Sequence, residues 1–170
     1  MPACKTETPV MSGRFEHRVV IDSDYKQADD IRETIVAQAK CFGFDGHDLY
    51  QIKLALAEAI TNAIEHGNKR QAAKHVNVHY SITSEELHLQ IEDEGPGFDA
   101  SAIPDPRLPE YIDRPSGRGI FLMRHCMDEL VVSGNRIEMW KFRSVPKEDK
   151  EQPEQRKPVA KQRPEFELVW

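Results

Sequence analysis

The sequence predicts an α+β fold, a two-layer sandwich in which helices cover one face of a mostly antiparallel, mixed sheet. Three observations indicate this class. Two early segments repeat apolar residues at helical spacing, and later segments alternate apolar and polar residues as strands do. The order strand, helix, helix, two strands, loop, helix, two strands also keeps helices and hairpins apart, which favours helices packed on one sheet face.

A strand and a helix are predicted first. The strand RFEHRVVID (14–22) alternates between a half-buried side and a polar side. The helix after it begins at Ser23 or Asp24, either of which can cap it. It ends at Gly43, because glycine accepts a positive φ without a Cβ clash.

The second helix begins with Asp45 or Asp48 as its cap and ends at Gly67. The clearest strands follow, KHVNVHYSIT and ELHLQIEDEG, which form an antiparallel hairpin around the turn TSEE. A short helix is predicted in GIFLMRHCMDEL, and ELVVSGNRIEMWKF closes the fold as a second hairpin around SGN.

Length and composition limit the classes of function. A chain of 170 residues is long enough for one sizeable core. The net charge of −6 disfavours binding to phosphate backbones, so no direct nucleic-acid partner is expected. Three scattered cysteines indicate a reducing compartment, which predicts the cytoplasm. No apolar run approaches the roughly 20 residues that span a bilayer, so no membrane partner or signal peptide is expected.

The predicted domain occupies residues 14–144. A flexible leader, 1–13, precedes it, and the segment 145–170, rich in proline, glutamine and balanced charge, is expected to be a disordered tail. Within the domain, the proline-rich stretch from about 95 to 117 has no periodicity, and a loop of this length is usually functional or disordered.

The stretch EAITNAIEHGNK places Glu58, Asn62 and His66 at four-residue intervals along one side of the second helix. An isolated pattern of this kind is more often a solvated stripe. Here small neighbours leave room for another group to approach, namely Ala55, Ala59 and Ala63. Glu58 is therefore a candidate general base, and Asn62 offers an amide oxygen suited to Mg²⁺.

Two glycine-containing segments carry the other candidates. DEGPG places Asp93 where a strand ends, with Gly95 and Gly97 leaving the backbone open, although turns use the same residues. SGRGIFLM opens the short helix, where unpaired N–H groups can hold phosphate, although a flexible helix entry has the same composition.

Together, ExxxN with HG on a helix, DxGxG after a strand, a long lid and GxG opening a helix resemble the Bergerat-type, histidine kinase-like ATPase fold. Within that fold, EAITNAIEHGNK and SGRGIFLMRHCMDEL are most similar to the anti-sigma factor serine/threonine-protein kinases. The resemblance extends from about Phe15 to Phe142, so the domain at 14–144 is identified as an ATP-binding kinase domain whose lid is the loop at about 95–117.

The resemblance implies a role for each motif residue, with ATP and Mg²⁺ as cofactors. Asp93 would accept a hydrogen bond from the adenine amino group, and Asn62 would bind Mg²⁺. Glu58 would orient or deprotonate the acceptor hydroxyl. The other residues implied to contact the nucleotide are His66, Gly67, Gly95, Gly97, Gly117, Arg118, Gly119 and Ile120.

The implied function is that of an ATP-dependent serine kinase that binds a sigma factor or similar regulator and phosphorylates a small antagonist on serine. The resemblance also implies a homodimer. Two alternatives stay open: a nucleotide-gated partner-binding module with little catalysis, and the detached catalytic domain of a histidine kinase system.

Overall fold

The computed structural model describes residues 12–98 and 118–144. The predicted leader through residue 11, the predicted lid from residue 99 and the predicted tail from residue 145 lie outside the described residues. The described residues hold every helix and strand that the sequence predicts.

Within the described part of the chain, five strands form one sheet in the order β1-β2-β3-β5-β4. Their bounds are β1 Phe15–Asp22, β2 His75–Ile82, β3 Glu86–Glu92, β4 Glu129–Ser133 and β5 Arg136–Phe142. Each neighbouring pair in this sheet is antiparallel. The two-layer α+β prediction is confirmed, with the refinement that the pairings among the described strands are uniformly antiparallel and not mixed.

Residues 12–98 and 118–144 also contain three α-helices and one π turn: α1 Tyr25–Cys41, α2 Gly46–Asn62, the π turn Ala63–Gly67 and α3 Arg118–Cys126. Of the two cap candidates proposed for each early helix, the structure selects Asp24 and Asp45, whose side chains accept from the backbone N–H three residues on. No helix in the described part of the chain has the length and apolar character needed to cross a bilayer.

The core lies between the helices and one face of the sheet. Alternating residues of β2 and β3 point into it, among them Val78, Tyr80, Leu89 and Ile91, and they meet the buried stripes of α1 and α2. The opposite sheet face carries the intervening polar residues. Burial on one face only explains the period-two pattern of both central strands.

The π turn is the departure from the sequence prediction. The second helix does end at Gly67, but its last five residues widen into π geometry. Short π segments are rare and occur frequently at functional sites. This one lies where the candidate motif EAITNAIEHG ends.

Candidate active site

Glu58 and Asn62 lie on the last turns of α2, and both are half-buried. Helix α3 packs across them at its first residues. A Cβ on Gly119 would lie 2.7 Å from Glu58 Oε2 and 3.2 Å from Asn62 Nδ2. The structure therefore brings together three predicted site residues from two motifs, and the close approach depends on glycine at position 119.

A second group forms where the π turn meets the end of β3. A Cβ added to Gly67 would overlap the carboxyl group of Asp93. One added to Gly95 would lie 2.7 Å from Asp93 Oδ1 and equally close to the carbonyl carbon of Gly67. Gly67 and Gly95 thus lie directly against the Asp93 carboxyl group.

The Asp93 carboxyl group is half-buried, and its electrostatics follow from that position. Burial raises the pKa of Asp93, while the hydrogen bond from the Gly95 N–H to Oδ1 (2.6 Å) and the charge of Lys74 act in the opposite direction. Lys74 Nζ donates to the carbonyl of Glu94 at 3.1 Å. The net result is a raised pKa and a carboxyl group with reduced hydration.

Gly97 lies against the turn between β4 and β5. It has φ +74°, and a Cβ there would overlap the backbone of Gly134 and Asn135 in the β4–β5 turn. Asp93 N–H donates to the carbonyl of Asn135 at 3.1 Å, and the Asn135 side chain donates back to the Asp93 carbonyl. Gly97 therefore lets the segment after β3 lie against the neighbouring turn, which fixes the backbone of Asp93.

The remaining candidate residues are His66, Arg118, Ile120 and Gly117. His66 is exposed on the π turn, so the four-residue spacing that aligns side chains on an α-helix holds for Glu58 and Asn62 but not beyond them. Arg118 is exposed at the start of α3. The side chain of Ile120 lies in the core, which leaves its backbone as the part available to a ligand. Gly117 lies outside the described residues.

The sequence prediction missed Asn68 and Asn135. Asn68 is fully buried directly after the π turn and makes hydrogen bonds to three different parts of the chain. The signals were present, because both asparagines follow a glycine at the end of an element, in HGN and SGN. Asparagine is common in turns, however, and the sequence does not show what its amide contacts.

Residues 21–141 match the histidine kinase-like ATPase domain. The chain belongs to the histidine kinase-like ATPase family. The match covers both sides of the candidate site, from β1 through α2 and β3 to α3 and β5. ATP is accordingly the nucleotide of this domain.

Two curated relatives of this histidine kinase-like ATPase share a name. Serine-protein kinase RsbW from Bacillus licheniformis is 33% identical over 121 residues, which cover 66% of this chain and 76% of that protein. Serine-protein kinase RsbW from Staphylococcus aureus (strain MRSA252) is 31% identical over 138 residues, which cover 75% of this chain and 86% of that protein. The expected family of anti-sigma factor serine kinases, and the enzyme class of protein serine/threonine kinase, are confirmed.

A solved structure supports the fold of this histidine kinase-like ATPase. The crystal structure of the RsbU and RsbW domains of a Mycobacterium tuberculosis protein superposes with a TM-score of 0.51 at 14% identity. The alignment covers 76% of this chain and 31% of that longer chain. At this identity the similarity shows a shared fold.

Proposed function

We propose that this protein is an ATP-dependent serine protein kinase that acts as an anti-sigma factor-type regulator. It binds a sigma factor or another regulator, and it phosphorylates a small antagonist protein on a serine hydroxyl. The observation that carries the proposal is the meeting of Glu58, Asn62 and Gly119 where α2 packs on α3. The relatives named serine-protein kinase support serine as the acceptor.

Asp93 is the proposed adenine-recognition residue. An ionised carboxylate only accepts hydrogen bonds, so it can pair with the amino group of adenine but not with the carbonyl that guanine has at that position. Gly67 and Gly95 support this role, because side chains at these positions would fill the space around the carboxylate.

The start of α3 is the proposed phosphate site. Backbone N–H groups in the first turn of a helix lack partners within the helix and attract anions. Gly119 and the backbone of Ile120 belong to this turn, and Arg118 adds a positive charge beside it. Gly117, which precedes the turn, completes the proposed set.

Asn62 and Glu58 are the proposed metal-binding and catalytic residues. The amide oxygen of Asn62 is a hard oxygen ligand of the kind that binds Mg²⁺, and a bound Mg²⁺ would neutralise negative charge on the phosphates. Glu58 takes the proton from the acceptor serine hydroxyl. The serine oxygen then bonds to the γ-phosphorus as the bond from that phosphorus to the leaving oxygen of ADP breaks.

The sheet face opposite the helices supports a protein partner. Val20, Val131 and Phe142 project from it and are 60%, 51% and 45% exposed. Val131 and Phe142 lie on the neighbouring strands β4 and β5, and Val20 lies on β1 at the opposite edge of the sheet. Exposed apolar patches rimmed by polar residues mark protein contact surfaces. The regulator, or the second copy of the chain that the resemblance implies, is proposed to use this face.

Phosphotransfer tests the proposal directly. The purified protein, γ-labelled ATP and Mg²⁺ are added to a native extract of the source organism, and labelled proteins are separated before and after acid treatment. We expect acid-stable label on a small protein, because phosphoserine survives acid. Acid-labile label would instead indicate the detached histidine kinase domain, whose product is phosphohistidine.

A pair of variants tests the role of Glu58. We expect Glu58→Gln to abolish transfer while ATP affinity stays within about threefold, because the change removes a proton acceptor and keeps the shape. Glu85→Gln, an exposed change in the turn between β2 and β3, is the matched control and should transfer normally. Absence of label in the parent protein, with partner retention that depends on ATP, would favour the nucleotide-gated binding module.

A further inference from the structure

Asn68 is the most completely bonded polar side chain near the candidate site. Its exposed fraction is 0%, and it lies directly after Gly67. The Nδ2 group donates to Ser23 Oγ at 3.0 Å and to the carbonyl of His75 at 2.9 Å. The Oδ1 atom accepts from the N–H of Glu94 at 2.8 Å. Both amide hydrogens and the carbonyl oxygen are therefore used.

These bonds join three separate segments of the chain to the end of the π turn. Ser23 lies between β1 and α1, His75 begins β2, and Glu94 follows Asp93 directly. Ser23 continues the network, because its hydroxyl donates to the Lys74 carbonyl at 2.9 Å. The Asn68 side chain thus fixes how far the end of the π turn lies from the segment after β3.

The two residues after Asn68 have an unfavourable backbone conformation. Lys69 and Arg70 follow with φ of 55° and 58°, a left-handed conformation that side chains other than glycine seldom adopt. The Asn68 N–H donates to the Ala63 carbonyl, and the Arg70 N–H donates to the Ile64 carbonyl, each at 2.8 Å. A buried amide with three partners is the side-chain anchor at the start of this unfavourable turn.

Asparagine is the chemical type that this position requires. The two donors and one acceptor match two oxygens on one side and one N–H on the other. Aspartate would present an acceptor to the two oxygens, and alanine would leave a buried N–H and a buried carbonyl without this partner. Neither residue would keep the Glu94 segment and the π turn at the same separation.

We infer that Asn68 is a positioning residue for base selection: by tying Glu94 to the end of the π turn, it holds the Asp93 carboxylate where it distinguishes purines that carry a 6-amino group from those that do not. The inference rests on the proposed function, in which Asp93 binds adenine. It adds a residue that does not touch the base but determines how selectively the base is bound.

The test measures selectivity separately from stability. Affinities for ATP and for purine riboside triphosphate, which lacks the 6-amino group, are measured for the parent protein and for Asn68→Ala, well below each melting temperature. A hydrogen bond to a charged group predicts a parent preference for ATP of about 10- to 150-fold. We expect Asn68→Ala to lose most of that preference through weaker ATP binding, while affinity for the analogue changes less than about threefold.

Asp48→Asn is the matched control. Asp48 is also 0% exposed and accepts hydrogen bonds from the backbone and hydroxyl of Ser144, but it lies at the other end of α2. This variant should lower the melting temperature and keep the full preference for ATP. If both variants lose the preference equally, or if folded Asn68→Ala keeps it, Asn68 has no positioning role.

Two further variants keep the outcomes distinct. If Asn68→Ala does not fold, Ser23→Ala removes one of the three partners, and it should reduce the preference by a smaller factor at a smaller loss of stability. An unchanged preference in that variant would then overturn the inference. If the parent protein itself does not distinguish the two nucleotides, and Asp93→Asn binds them as the parent does, the assignment of Asp93 is what fails.

Discussion

Gly119→Ala tests whether the contact between α2 and α3 carries phosphotransfer. The added Cβ would lie 2.7 Å from Glu58 Oε2, and ordinary van der Waals contact begins at 3.4 Å, so the carboxylate oxygen must retreat by the difference, about 0.7 Å. Displacement of a catalytic group by roughly 1 Å can reduce a rate by about 100-fold. We therefore expect transfer from ATP to the acceptor serine to slow by about 10- to 100-fold.

The same change should have little effect on stability. The atom that the new Cβ meets is the end of a flexible side chain, which can rotate away, and replacing glycine by alanine within a helix is favourable by roughly 0.5–1 kcal/mol. The melting temperature should stay the same or rise slightly. A loss of activity without a loss of stability is the result that separates a catalytic contact from a packing contact.

The assay is single-turnover transfer from γ-labelled ATP to the acceptor protein, with thermal unfolding measured on the same samples. Gly46→Ala is the control, because a Cβ there meets nothing within 4 Å. It should transfer at the parent rate. Full transfer activity in Gly119→Ala would refute the assignment of Glu58 as the group that acts on the acceptor, since that group would tolerate displacement without consequence.

Two further predictions concern Asp93. Gly67→Ala should weaken ATP binding by about 10- to 150-fold in calorimetry, because the new Cβ displaces the Asp93 carboxyl group from its place beside the base, whereas Gly46→Ala should bind normally. Asp93→Asn should weaken ATP binding but stabilise the nucleotide-free protein. Burial raises the pKa of Asp93 above its ordinary value of 3.8, so its contribution to stability is present below that value and is lost as pH rises through the folded-state pKa. The melting-temperature difference between variant and parent should therefore grow as pH is raised through that range, and a difference that shrinks would contradict the burial effect.

The sequence predicted the elements well because their signals are local. Alternation in β2 and β3, and apolar stripes in α1 and α2, each reflect burial of one face, which is visible within a few residues. For the N-cap of each early helix the sequence left two candidates, Ser23 or Asp24 for α1 and Asp45 or Asp48 for α2. All four side chains can accept a hydrogen bond from a backbone N–H. The choice within each pair depended on the residue at which the chain turns into the helix.

The π turn and the position of His66 could not be read in the same way. The spacing of Glu58, Asn62 and His66 fits an α-helix. A π turn has hydrogen bonds between residues five apart instead of four, and the residue types in this segment do not reveal that change. The sequence also did not show which part of the chain Gly97 contacts. The β4–β5 turn, which requires a glycine at this position, is distant along the chain.

By itself the sequence determined the order of elements, the one-sided burial of helices and strands, and the three motifs that identify a histidine kinase-like ATPase, because each depends on spacing within a short segment. The tertiary structure decided which of those motifs meet. Glu58 and Asn62 reach Gly119 because α2 packs on α3, and Gly67 reaches Asp93 because the end of the π turn lies against the end of β3. Asn68 acquires its role for the same physical reason: a hydrogen bond depends on distance in space, and its partners come from segments that only the folded sheet brings together.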